Sequence, residues 1–147
     1  QGYPMIIKKG TSILEVVIAT AMITMAVISA LALTSKSESQ NTYARHSAQA
    51  SKYASEAADW LRGERDNQGF STLASVSGSY CISTLPVDFL SLGAPTICGD
   101  QNLINNIFKR TLILDNSSSD RVRASVVVSW QEKTLRTTTI DLELTKW

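Results

Sequence analysis

Lys8-Lys9-Gly10-Thr11-Ser12-Ile13-Leu14-Glu15-Val16-Val17-Ile18-Ala19 opens the stretch that decides the fold. Across residues 13–33 the only charge is Glu15, and neither Gly nor Pro interrupts the run. As a helix rising ~1.5 Å per residue, residues 11–33 extend about 35 Å, enough to cross the hydrocarbon core of a bilayer. Lys8 and Lys9 stand directly before the span, whereas Lys36 and Glu38 follow it. This basic bias keeps the N-terminus cytoplasmic. The chain from about residue 34 onward then faces an oxidising compartment, where the only two cysteines, Cys81 and Cys98, are free to pair.

Outside this stretch the composition is undistinguished, and that is informative. With 147 residues the chain holds one compact domain plus an extension, which excludes a large multidomain enzyme. Lys and Arg (14) nearly balance Asp and Glu (13), so no global field advertises a nucleic-acid partner.

Downstream, Gly and Pro stay absent until Gly63, so the helix is expected to continue. From Tyr43 its pattern changes. Tyr43, Ser47, Ala50, Tyr53, Ala54, Ala57, Trp60 and Leu61 recur at three- and four-residue intervals and share one face, while Arg45, Lys52, Glu56, Asp59 and Arg62 fall mostly elsewhere. One helix therefore changes from apolar all round to amphipathic, and its second half needs a partner layer. Asn67-Gln68-Gly69 ends it, and residues 70–106, rich in Ser, Thr, Pro and Gly, read as a structured loop region. Three strand signals follow at residues 107–114, 122–130 and 135–144. Val126, Val128 and Trp130 alternate with Val127 and Ser129, then Ile140, Leu142 and Leu144 with Thr139, Asp141 and Glu143. Short polar connections make these an antiparallel meander whose apolar face covers Tyr53, Ala57 and Trp60. The fold class is α+β, a long N-terminal helix on a small antiparallel sheet. It divides into a leader (1–10), a membrane-spanning half-helix (11–33) and an extracytoplasmic domain (34–147: helix 34–65, loop region 66–106, sheet 107–147).

The Lys8-Lys9-Gly10 leader, the apolar stretch and Glu15, fifth after Gly10, resemble the class III leader of type IV prepilins and pseudopilins. The resemblance implies cleavage after Gly10 by a membrane-embedded prepilin peptidase, N-methylation of the new first residue Thr11, and assembly with other pilin subunits, major and minor, on an inner-membrane platform. Thr11 stands where the family usually has Phe, and no Pro occurs near residue 32, where many major pilins carry one. More loosely, Val126-Val127-Val128-Ser129-Trp130 and Thr137-Thr138-Thr139-Ile140-Asp141-Leu142 look like the terminal strands of V-type minor pilins and I-type minor pseudopilins. The implied function is that of a minor structural subunit of a type IV pilus. Such a subunit sits in the cytoplasmic membrane before assembly and in an extracellular or periplasmic filament afterwards. A minor pseudopilin of a type II secretion or DNA-uptake system is the alternative within the class.

Elementary chemistry gives the same features a reason. A carboxylate in an apolar stretch is expensive, so Glu15 lies near an interface or finds a cation. Cleavage after Gly10 creates one, the amine of Thr11. In a neighbouring subunit that amine neutralises Glu15 and fixes the axial stagger between helices, since a lone buried ion pair sets register well. Ala19, Ala21, Ala26, Ser29 and Ala30 are small enough for close helix approach, and Thr20, Thr24 and Ser29 can bond back to their own helix.

Two other readings compete. In a plain single-pass anchor with an extracytoplasmic binding domain, Glu15 merely reaches the headgroups. In a secretory signal, Ala30-Leu31-Ala32 is the cleavage site, although the apolar run exceeds the usual ~7–15 residues.

The remaining candidates are few. Cys81 and Cys98 are read as a disulfide, worth about 3 kcal/mol in the chain-entropy model, because metal binding wants about four ligands and the sole His46 lies far off. His46 is expected to be a solvated helix residue. No cofactor motif or catalytic constellation appears, so the protein is expected not to be an enzyme. Arg121, Arg123, Lys133 and Arg136 form a candidate basic patch near the strand ends, with DNA as its possible partner.

Overall fold

A computed structural model describes residues 12–146. Gly10 and Thr11 lie outside them. Helix α1 spans Ile13–Gln68 without a break, as the absence of Gly and Pro before Gly63 requires. It ends where Gly69 takes φ 85°, a left-handed conformation open to glycine, and donates its N–H to Arg65 O at 3.0 Å. Inter-residue contacts divide the chain between Tyr43 and Ala44, ten residues past the compositional boundary. The reason lies in burial: every described residue through 45 is exposed, and Ala50 is the first buried side chain.

Within residues 44–147, the amphipathic half of α1 lies on a four-stranded antiparallel sheet ordered β1-β2-β3-β4. The strands are β1 (Gly78–Cys81), β2 (Phe108–Asp115), β3 (Arg121–Gln131) and β4 (Leu135–Thr145). The last three are the strands expected from period-two alternation, shifted by a residue at some ends. Their inner face carries Phe108, Leu112, Leu114, Val122, Ala124, Val126, Val128, Trp130 and Leu144, all buried. Against it α1 presents Ala50, Ala54, Ala57 and Leu61, each with no exposed surface. Alanine at this spacing lets helix and sheet approach closely, and the aromatic side chains fill the flanks. Tyr53 meets Phe108 of β2 edge-on at 5.4 Å.

The segment expected to be loop is more structured than its composition indicates. It contains a five-residue helix α2 (Phe70–Ala74), strand β1, and a 3-10 turn at Phe89–Leu92 capped by Asp88, whose carboxylate accepts Ser91 N–H at 2.7 Å. The sheet thus has four strands rather than three. Four or five residues are too few to display a period, so neither β1 nor α2 leaves a sequence signature. Phe89, 1% exposed, turns inward from this segment and stacks edge-on against Trp60 at 5.4 Å. The aromatic partner of Trp60 is therefore the connecting segment rather than the sheet. A disulfide joins Cys81, at the end of β1, to Cys98, with Cα atoms 4.9 Å apart. It ties the intervening segment to the sheet at both ends.

Candidate functional site

The first half of α1 is one helix long and apolar enough to cross a membrane, with a mean hydropathy of 2.5 over its most apolar 18-residue window. None of that window is buried within the chain. Ile13 is 85% exposed, Met25 71% and Leu33 70%. So large an apolar surface requires lipid or other protein to cover it. Its polar groups are prepared for such a medium. Thr20 Oγ1 donates to Val17 O at 3.0 Å, Thr24 Oγ1 to Ala21 O at 2.8 Å, and Ser29 Oγ to Met25 O at 2.8 Å. Each expected hydroxyl is satisfied by its own helix, as a span without water demands.

Glu15 sits in the first turn, where Ser12 O accepts the N–H groups of Glu15 (2.9 Å) and Val16 (3.3 Å). A carboxylate at this end meets the positive pole of the helix dipole, which offsets part of its cost. Ser12, Leu14, Ile18, Ala19 and Met22 line a shallow depression around it. Glu15 is the only charged side chain among the described residues before Lys36.

Among the described residues from 44 onward the structure builds two polar joints that the sequence did not announce. The first centres on Arg110, 2% exposed on the inner face of β2. Its Nε donates to Ile82 O at 3.1 Å and its Nη1 to Tyr53 O at 3.1 Å, with Glu56 Oε2 3.9 Å away. Burial pulls its pKa down, and the charges of Glu56 and Tyr53 oppose that shift. A guanidinium remains charged regardless. One cation thus ties α1, β2 and the start of the disulfide segment together.

The second joint is Glu132, in the β3–β4 turn. Trp130 Nε1 donates to Glu132 Oε1 at 3.0 Å, and His46 Nδ1 lies 3.2 Å from the same oxygen. His46 also meets Phe108 edge-on at 5.8 Å, so the expectation of a solvated histidine is corrected. Its helical position sits one turn before Ala50, at the margin of the buried face, where the turn's carboxylate can reach it. Chiefly through the Trp130 bond, with help from His46, the Glu132 carboxyl is held below the usual range. A carboxyl depressed in the folded state stabilises the fold above its unfolded pKa, near ~4.3, and loses that contribution as pH falls through the lowered value. Glu132→Gln is therefore expected to lower the thermal midpoint at neutral pH, with the gap to wild type closing toward about pH 3. A gap that stays constant across a thermal-melt series over this window would refute the assignment.

The basic candidates are not brought together. Arg121 and Arg123 stand at one end of the β3–β4 ribbon, where Arg121 pairs opposite Thr145 and its Nη1 contacts Glu143 at 2.7 Å. Lys133 and Arg136 stand at the other end, by the turn, with Arg136 opposite Trp130. Roughly ten residues at ~3.3 Å each separate the two pairs, about 30 Å. Arg123 lies opposite Glu143 in the ladder. Lys133 and Arg136 flank one turn, whereas Arg121 and Arg123 lie a strand's length away at the opposite end of the ribbon, a separation that spacing in sequence does not display.

No protein-family model, curated protein or solved structure matches the chain.

Proposed function

We infer that the protein is a minor structural subunit of a type IV pilus or of a related pseudopilus, held in the membrane by α1 and then packed into a filament through the same helix. The observation that carries this reading is the wholly exposed apolar half of α1 with Glu15 alone in its first turn. The Gly10–Thr11 junction stands five residues upstream of that carboxylate by sequence. In this reading the peptidase cuts after Gly10, Thr11 is N-methylated, and its amine meets Glu15 of a neighbouring subunit. Lipid covers the helix before assembly and other subunits cover it afterwards. The disulfide supports an extracytoplasmic location for residues 44–147. DNA binding by Arg121, Arg123, Lys133 and Arg136 gains no support from their separation, and an uptake role would act through other surfaces.

The test is mass spectrometry of the N-terminal peptide from protein expressed in a host with its peptidase intact. A chain starting at methylated Thr11 is the expected result. Retention of Lys8-Lys9 would identify a plain anchor, and a start near Leu33 a secreted domain.

A further inference from the structure

At the end of the sheet next to the β3–β4 turn, a cleft of about 350 Å³ opens on the outer face, the side away from α1. Its floor includes Lys109 of β2 and Ser129 of β3, partners in the ladder. Both alternate with the buried Phe108, Arg110, Val128 and Trp130, which places them on the outer side. The walls are aliphatic: Leu103 and Ile107 from the connection leading into β2, and Leu135 from the first position of β4. Ile107 is 39% exposed and Leu135 65%, so these walls present apolar surface to water.

A tight turn holds the Leu103–Ile107 wall in place. The chain reverses between Ile104 and Phe108, whose backbones exchange hydrogen bonds of 2.8 and 3.0 Å, and it does so through Asn105 and Asn106 at φ 50° and 58°. Two successive non-glycine residues in the left-handed region are costly, and such conformations persist only where the surroundings enforce them. Asn105 Nδ2 donates to Tyr53 Oη at 2.7 Å, which fastens the turn to α1. So fastened, the turn does not relax to bring Leu103 and Ile107 down onto Leu135, and the cleft stays open.

Volume and lining suit a small molecule with an apolar body and few polar atoms. Charge identifies its polar end. Lys109 is the one cation among the described lining residues, its side chain is 34% exposed, and its Nζ already holds a carboxylate, that of Asp100, at 2.7 Å. Asp100 itself is 93% exposed. An ion pair with so exposed a partner is worth little, and the Asp100 carboxylate loses almost nothing by turning back to water. A carboxylate carried on an aliphatic body gains what Asp100 lacks, because its tail is removed from water against Leu103, Ile107 and Leu135. We propose that the cleft binds a small aliphatic carboxylate, with its head on Lys109, the Ser129 hydroxyl as a second donor and its tail among the aliphatic walls. Asp100 occupies the head position while the ligand is absent. The lining residues all lie within residues 100–135, so binding does not depend on how the chain is anchored.

The experiment titrates hexanoate into the full chain in detergent micelles, with Leu and Ile methyl groups labelled for NMR. Saturable shifts are expected at Leu103, Ile107 and Leu135 while Leu14 and Ile18 of α1 stay unmoved, which separates binding in the cleft from uptake by the micelle. Hexan-1-ol, with the same tail and no charge, is expected to bind about tenfold more weakly. Lys109→Met should weaken hexanoate by about tenfold and leave hexanol unchanged. Asp100→Asn, which removes the competing carboxylate, should tighten hexanoate by up to about fivefold. Absence of saturable shifts at the wall residues overturns the proposal. Equal affinity for hexanoate and hexanol, or hexanoate binding indifferent to Lys109→Met, overturns the carboxylate assignment. Weaker hexanoate binding in Asp100→Asn would make Asp100 a support of the site and overturn its role as the competing head.

Discussion

Glu15→Leu is expected to remove the chain from filaments while leaving it in the membrane. Replacing a carboxylate by leucine in an apolar helix improves insertion, by up to about 3 kcal/mol at a helix centre and less near an end. An anchor would tolerate or welcome the change. Assembly through a Thr11 amine would not, because the amine of one subunit loses its counter-charge between packed helices. Breaking a buried pair from one side costs about 3–5 kcal/mol, a factor of a hundred or more in an equilibrium. The ratio of subunit in sheared filaments to subunit in membranes is therefore expected to fall by about two orders of magnitude. Glu15→Gln, which keeps shape and loses charge, should fall nearly as far, and Glu15→Asp should recover part of the loss. Unchanged incorporation of the leucine variant would remove the ion-pair mechanism and favour the anchor reading.

Much of this architecture is legible in the residues because the period of the apolar pattern changes where the structure does. The run before residue 34 has no polar face, so every side chain there is exposed in the isolated chain. From Tyr43 the three- and four-residue spacing marks the face that the sheet covers, and alternation near Val126 and Ile140 places the strands to within about two residues. What stayed hidden depends on long-range placement. Arg110 stands beside Lys109 in β2, and the two adjacent cations do not by themselves tell that one turns out to Asp100 and the other in to two carbonyls. His46 and Glu132 are 86 residues apart and meet only because the β3–β4 turn folds over the helix. Strand β1 is recruited by its partner, with Tyr80 opposite Leu112 across the ladder, rather than by its own four residues.

Arg110→Ala should cost about 3–5 kcal/mol of stability, as much as truncating a large core side chain. Three physical terms add up at this position. Truncation leaves a cavity beside the Ala54 face of α1 and removes the donors to Ile82 O and Tyr53 O. A buried carbonyl left without a partner costs about 1–3 kcal/mol. The carboxylate of Glu56, 3.9 Å from Nη1 and 42% exposed, is meanwhile left to solvent, so the lost ion pair contributes little. The terms separate by substitution. Arg110→Met refills most of the volume without restoring the hydrogen bonds and is expected to cost about 1–3 kcal/mol, whereas Glu56→Gln should cost under about 1 kcal/mol. Urea unfolding of the full chain in micelles, followed through the fluorescence of Trp60 and Trp130, measures all three. If the alanine variant lies within about 1 kcal/mol of wild type, the guanidinium is no joint. Because Ile82 adjoins Cys81, losing its bond to Arg110 should also loosen the stapled segment. The disulfide of the alanine and methionine variants is then expected to be reduced by dithiothreitol faster than that of wild type under folding conditions, while Glu56→Gln reduces at the wild-type rate.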